Sequence, residues 1–194
     1  PYPFANQVVS REATGKGRYN GLTVAARKRF SSRFQLQTFY VYAQNFSDSD
    51  AEDLSGANEG YDQLNLALDW GRSNLDIRHN YVFNGVFELP FMREKKGLAG
   101  KVLGGWQASG FLTLQSGTPF TALDGADPGF RLSQLNATPR VHLNTGLDLA
   151  SLSVQEIYRA GGATLFSRVT ASNPLGNIGR NILRSDGIGN LDLG

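Results

Sequence analysis

Four segments of this chain alternate apolar and polar side chains with a period of two, and no other feature narrows its possible folds as much. From Leu22 to Phe30 one side carries Leu22, Val24, Ala26, Lys28 and Phe30, and the other carries Thr23, Ala25, Arg27 and Arg29. Past a turn at Ser31-Ser32-Arg33, Phe34, Leu36, Thr38, Tyr40 and Tyr42 oppose Gln35, Gln37, Phe39, Val41 and Ala43. His79, Tyr81, Phe83, Gly85, Phe87, Leu89 and Phe91 oppose Asn80, Val82, Asn84, Val86, Glu88 and Pro90; the proline is tolerable because the strand ends there. Trp106, Ala108, Gly110, Leu112 and Leu114 oppose Gln107, Ser109, Phe111, Thr113 and Gln115. Residues two apart share a face of a strand, so each segment is a strand with two chemically different faces. The only charged residue on the four apolar faces is Lys28, near enough to a strand end for its ammonium to snorkel.

Alternation alone suits either a soluble β-sandwich, whose apolar faces meet each other, or a membrane barrel, whose apolar face meets lipid. The placement of aromatics and connections favours the barrel. If successive strands run in opposite directions, Phe30, Phe34, Phe91 and Trp106 fall at one level and Tyr40, Tyr42 and Tyr81 nearer the other, as two interfacial girdles would. The short turn at 31–33 and the link at 92–104 lie at one end, and long loops at 45–76 and 119–187 at the other. Short turns on the periplasmic side and long loops outside are the habit of outer-membrane barrels. The expected fold is therefore all-β: antiparallel up-and-down strands of a partial transmembrane barrel over 1–194, about six strands with long extracellular loops. A shorter strand is expected around Gln7 to Glu12, turned back at Ala13 to Gly17, and another at Gly189–Gly194. Ser153 followed by Glu156 marks a capping box for a short helix through Arg159. Gly85 and Gly110 fall mid-strand on the lipid side, where a missing side chain permits close packing or bending.

Several function classes recede on composition. No apolar run approaches the ~20 residues of a membrane-spanning helix. Cysteine is absent, which removes disulfides, thiolate metal sites and thiol nucleophiles. The 19 basic and 17 acidic residues are interspersed, so no basic face points to nucleic acid. The acidic run Asp48, Asp50, Glu52, Asp53 lacks the glycine and distal glutamate of a calcium loop and is expected to be solvated. His79 and His142, the only imidazoles, have no partners at metal-ligand spacing; His79 is expected at a strand's interfacial end. Gly176-Asn177-Ile178-Gly179-Arg180-Asn181 lacks the Lys-Ser/Thr of a phosphate loop and is expected to be a tight return into a strand. No nucleophile–base pair or carboxylate pair can be placed together, so neither catalytic residues, cofactor nor metal is expected. Arg27, Arg29, Gln35, Gln37, Arg78, Glu88, Gln107 and Gln115 are expected to line a polar lumen and to hold a plug.

Specific phrases carry a family resemblance. Tyr19-Asn20-Gly21-Leu22, leading to Arg27-Lys28-Arg29-Phe30 and Phe34-Gln35-Leu36-Gln37, resembles the barrel of TonB-dependent receptors that carry a carboxypeptidase-regulatory-like amino-terminal domain, the Oar-like group. Further phrases agree in order: Asp76-Ile77-Arg78-His79 with Phe83 to Phe91, Gly104 to Gly110 with Leu114 to Phe120, and Gly176 to Asn181 before Asn190-Leu191-Asp192. The resemblance implies an outer-membrane transporter of roughly 22 strands with a plugged lumen. It would take up a scarce ligand with energy delivered by TonB. Its partners would be outer-membrane lipid, the TonB complex, a plug domain and an unidentified ligand. The chain begins Pro1-Tyr2-Pro3-Phe4 without a signal peptide and shows no plug, energy-coupling box or closing strand, so it is expected to be internal to a longer precursor. A non-transporting structural or adhesive barrel and a soluble β-sandwich binding module are the alternatives.

Overall fold

The structure is a computed structural model describing residues 14–31, 33–49, 61–62, 65–90, 97, 104–125 and 139–194. Five long strands form the wall: β1 (Gly17–Ser31), β2 (Phe34–Ser47), β4 (His79–Glu88), β5 (Gln107–Gln115) and β10 (Ile188–Leu193). They neighbour one another in the order β1-β2-β4-β5-β10, every pair antiparallel. A two-residue strand β3 (Gly71–Arg72) adds to β2 at Phe46 and Ser47, above the start of β4, and in the connection between β5 and β10 the short strands β6 (Pro119–Phe120) and β9 (Leu183–Arg184) pair, as do β7 (His142–Leu143) and β8 (Phe166–Ser167).

The register fixes which residues share a face. Val24, Tyr40, Tyr81, Leu114 and Gly189 form one cross-strand row, and Ala26, Thr38, Phe83, Leu112 and Leu191 the next. The apolar sides of separate strands thus become one continuous apolar face. No second sheet covers it among the described residues: Leu22, Val24, Leu114, Leu191 and Leu193 are between 46% and 78% exposed. A soluble sandwich would bury this face at its centre. The buried apolar cluster lies elsewhere, in the connection between β5 and β10, where Leu149, Ile157, Leu165 and Leu183 pack with Leu143, Leu152 and Phe166.

The strand bounds differ from expectation in an instructive way. β1 begins at Gly17 rather than Leu22, and β2 runs on to Ser47, so the loop expected from 45 opens later. Strand pairing continues there despite polar side chains, because Asn45-Phe46-Ser47 finds partners in Arg18, Tyr19 and β3. β4 ends at Glu88, although the Leu89 N–H still donates to the Trp106 carbonyl at 2.9 Å. The strand expected near Gln7 to Glu12, most of the 92–104 link and Phe91 lie outside the described residues.

At the first hairpin, Lys28 faces Leu36 and Ser31 faces Phe34, so Arg29 and Phe30 together stand opposite the single Gln35. This is a bulge, and simple alternation fixes faces only as far as Lys28. Period two alone therefore assigns no face to Arg29 and Phe30. Arg33 closes the turn with φ of 72°, the left-handed conformation that tight hairpins require. The Lys28 ammonium bends to the same turn, donating to Ser31 O at 3.2 Å and Oγ at 2.7 Å and lying 3.9 Å from the Phe34 ring centroid. Gly85 and Gly110 stand directly opposite each other, and the Phe83 ring leans over Gly85, filling part of the gap.

Candidate functional site: a polar wall capped by two interlocked loops

The face opposite the apolar one carries most of the residues expected to line a lumen. Arg27, Gln37, Asn84, Phe111 and Asp192 form one row; Gln35 pairs with Val86, Glu88 with Gln107, and Gln115 with Asn80. Arg27 and Gln37 are therefore brought together, as are Glu88 and Gln107 at the turn end. Arg78 is drawn instead into the loops, and Arg29 sits in the bulge. Of the expected interfacial aromatics, Phe34 stands opposite Phe87, Tyr40 opposite Tyr81 and Tyr42 opposite His79, while Phe30 and Trp106 are half-exposed at the turn end. His79 receives or gives a 2.7 Å hydrogen bond between Nδ1 and the Tyr40 hydroxyl.

The long loops, the first of which has the composition of a solvated segment, lock onto the wall and onto each other through buried charge. Residues 73–76 form a turn, with the Asp76 N–H on the Ser73 carbonyl at 2.9 Å and the Leu75 N–H on Ser73 Oγ at 3.1 Å. That turn aims the Asp76 carboxylate at the Asn45 N–H, 2.7 Å away, which continues the β2 ladder where β4 has not yet begun. The same carboxylate, 1% exposed, takes a 2.5 Å ion pair from Arg184 of β9 (Leu183–Arg184), and Arg72 and Arg78 stand 4.0 and 3.9 Å away. Arg184 also donates to the carbonyls of Asp76 and Gly117. One side chain thus ties wall, first loop and second loop together.

A second junction lies nearby in the chain. Asp69 accepts from the Tyr61 N–H at 2.9 Å and pairs with Arg140 at 3.2 Å, and the Arg140 guanidinium lies 4.1 Å from the Tyr61 ring centroid. The Tyr61 hydroxyl accepts the N–H groups of Arg140 and Gly176. Burial pushes the Asp69 carboxyl above its ordinary range, against the opposing pull of the Tyr61 N–H and Arg140, and burial lowers Arg140 in turn. Arg180 donates to the carbonyls of Ser47 and Asp69, and Asn181 to those of Arg72 and the Asn74 side chain.

The expected tight return at 176–181 is a clamp in its own right. Asn177 presents its amide to Leu143 as a strand would, accepting from the N–H at 2.7 Å and donating to the carbonyl at 3.3 Å. A Cβ on Gly176 would lie 1.8 Å from the Arg140 carbonyl oxygen, and one on Gly117 1.9 Å from that of Ser185. Backbones can approach this closely only at glycine. The capping-box helix α1 (Val154–Arg159) forms as expected, with Ser153 and Glu156 bonded reciprocally.

Sequence reasoning passed over Tyr61, Asp69, Asp76, Arg140, Arg180, Asn181 and Arg184 as site residues. The available signal was that Asp76, Arg180 and Asn181 lie within the phrases that carry the resemblance without an assigned partner. Chemically the arrangement positions segments. No three His, Asp or Glu side chains converge among the described residues. An open groove of about 400 Å3 lined by His79, Tyr81, Leu114 and Gly189 is a dent in the apolar face where the Gly189 row lacks a side chain.

The comparisons with known proteins bear on the whole chain. Neither a curated protein nor a solved structure matches it. A family model described as an outer membrane beta barrel domain matches residues 1–194. That match agrees with an uncovered apolar face on an antiparallel meander and with long connections gathered at one end. The chain belongs to the outer membrane beta barrel domain family, and its place is the outer membrane.

Proposed function

We propose that this chain is a barrel segment of a TonB-dependent transporter that takes up a ligand through the outer membrane with energy coupled by TonB. The observation that carries the reading is where several residues of the resembling phrases fall: Asp76, Arg78, Gly117, Arg180 and Asn181 sit where loops meet the wall or each other, and Gly176 lies against Arg140 within the second loop. An uptake barrel must hold its outer loops at a fixed place over the lumen to capture a scarce ligand, and buried ion pairs supply that fixity. Asn80 Oδ1, on the polar face, is buried without a hydrogen-bond partner among the described residues, a polar atom left for a further segment of the protein to satisfy. The partners in this reading are outer-membrane lipid, a plug domain, the TonB complex and an unidentified ligand, and the reading assigns no reaction to the protein.

A barrel that binds through its loops without transport could use the same platform. The test that separates the two starts from the full-length precursor. A plug domain and energy-coupling box, together with co-purification of the isolated periplasmic domain of TonB that is lost on deleting that box, is the expected result. A precursor that begins directly with barrel strands and retains no TonB domain, while still showing heat-modifiable migration, overturns the proposal in favour of loop binding.

A further inference from the structure

We infer that the outward face carries a contact for the phosphate of a lipid headgroup, built from Arg18, Phe46 and Trp70 on the long-loop side of the membrane. The contact depends on the outer-membrane setting of the barrel and stands whether or not the barrel transports.

The register sets its height. Phe34 marks the turn end of the apolar face, and Leu36, Thr38, Tyr40 and Tyr42 continue it along β2. A barrel strand rises ~3.4 Å per residue and tilts ~40°, so an apolar band ~25 Å tall takes up about ten residues. Counting from Phe34, the band ends near Gln44. The side chains agree, because the row after Leu22–Tyr42 is Asn20–Gln44, where the face turns polar on both strands together. The next row on that face is Arg18–Phe46, about 5 Å further along the membrane normal. That is the depth of headgroup phosphates rather than of acyl chains.

The row is built as an anion contact with an aromatic floor. Phe46 and Trp70 stack with ring centroids 6.3 Å apart and planes 18° from parallel. The Arg18 guanidinium lies 5.1 Å from the Phe46 centroid and 6.0 Å from that of Trp70. Trp70 is 41% exposed, a large apolar ring presented to the surroundings in the layer where tryptophan is at home. Arg18 has no carboxylate within ion-pair distance among the described residues. Asp48, two residues beyond Phe46, directs its carboxylate to the Lys16 N–H at 2.6 Å. Arg72, which shares the Phe46 row through β3, is already drawn toward Asp76. Arg18 is thus a planar, permanently charged donor held over two rings, with no carboxylate partner among the described residues, at the depth where the surroundings supply phosphate oxygens.

The other end of the same face gives the contrast. Lys28 also lies against an aromatic ring, but its ammonium is taken up by the Ser31 carbonyl and hydroxyl of its own hairpin. The inner boundary is satisfied within the protein, and the outer one is completed by lipid.

The experiment uses the full-length protein in detergent micelles, with lipid A carrying its phosphates as the probe and native mass spectrometry as the readout. Wild type is expected to retain phosphorylated lipid A over the same lipid stripped of phosphate. Arg18→Gln is expected to weaken that retention about fivefold, the effect of one basic residue near a charged lipid surface. Arg18→Lys is expected to keep most of the retention, and Lys28→Gln all of it. Should Arg18→Gln lose heat-modifiable migration, Trp70→Leu reads the same contact and is expected to weaken retention as well. Equal retention of the two lipids by wild type, unchanged retention in a folded Arg18→Gln, or displacement by inorganic phosphate would each overturn the proposal, the last by showing a site for free anions.

Discussion

Asp76→Asn removes one negative charge from a carboxylate that is 1% exposed and has three guanidinium groups around it, at 2.5, 3.9 and 4.0 Å. The amide keeps an oxygen for the Asn45 N–H, so the β2 ladder contact survives and the perturbation is electrostatic. Breaking a buried ion pair from one side costs about 3–5 kcal/mol. The retained acceptor places this substitution near the lower figure, about 3 kcal/mol, which is roughly a hundredfold in an opening equilibrium. The loss should be local, because the wall is held by its own strand ladders and the ion pair holds the loop against it. Hydrogen exchange on the full-length protein in micelles should therefore show about a hundredfold faster exchange at Ser185, whose N–H donates to Thr118 beside Arg184, with the β2–β4 amides around Thr38 and Phe83 unchanged. Adding Arg184→Gln should recover part of the loss, since one of the stranded cations is then gone. Unchanged exchange at Ser185, or a uniform rise across the wall, refutes the claim that Asp76 is the lock.

Gly117→Ala and Gly176→Ala each place a methyl group within 2 Å of a carbonyl oxygen, so both should release the second loop to limited proteolysis, whereas Gly110→Ala, whose nearest neighbour is a leucine methyl at 3.6 Å, should not. Acid should act selectively within the loops. The Arg168 side chain, helped by the Val169 N–H, holds Asp124 below its ordinary 3.8, and the Ser153 backbone N–H, then its hydroxyl, hold Glu156 below 4.5. A depressed carboxylate adds stability that is complete above its unfolded pKa and is lost as the pH falls through the folded value, so exchange across 149–170 should rise between about pH 5 and pH 3. Asp69 has the opposite sign: raised by burial, it favours its protonated form in the fold, so the Tyr61 amide bonded to it should not lose protection over that range. Simultaneous loosening at both places would contradict this assignment.

The wall was legible in the sequence because its physics is local and periodic. A strand between lipid and a polar interior must alternate, so the faces were readable, and the pairings Leu22–Tyr42, Tyr40–Tyr81 and Phe83–Leu112 set residues of the expected apolar faces opposite one another. Where the ladder takes an extra residue, at Arg29 and Phe30, alternation stops assigning faces, and nothing in Arg27-Lys28-Arg29-Phe30 announces the bulge. The junctions were illegible for another reason. Asp76 and Arg184 are 108 residues apart in sequence, and Asp69 and Arg140 are 71 apart. Charge pairing has no period, so a buried aspartate in a polar stretch looks the same as a solvated one until its partner is placed. The helix at 154–159 shows the converse, since its cap needs only Ser153 and Glu156 three residues apart.

The division of labour between wall and loops follows from the solvent. A membrane wall turns its apolar face outward, so it cannot use that face to bury anything of its own, and its strands are held by backbone pairing. Loops that rise above it must therefore bring their own apolar cluster, as Leu149, Ile157, Leu165 and Leu183 do. What such a cluster cannot do is choose a position relative to the wall, because the strand ends it meets are polar. Buried, directional contacts make that choice: Asp76 accepts from a wall N–H and an arginine of the far loop at once, and Arg180 donates to Ser47 at the end of β2 and to Asp69 in the first loop. Such pairs add little net stability over apolar replacements but specify one arrangement. The physical role of the ionic junctions is registration: they hold the loops in one place against the strand ends.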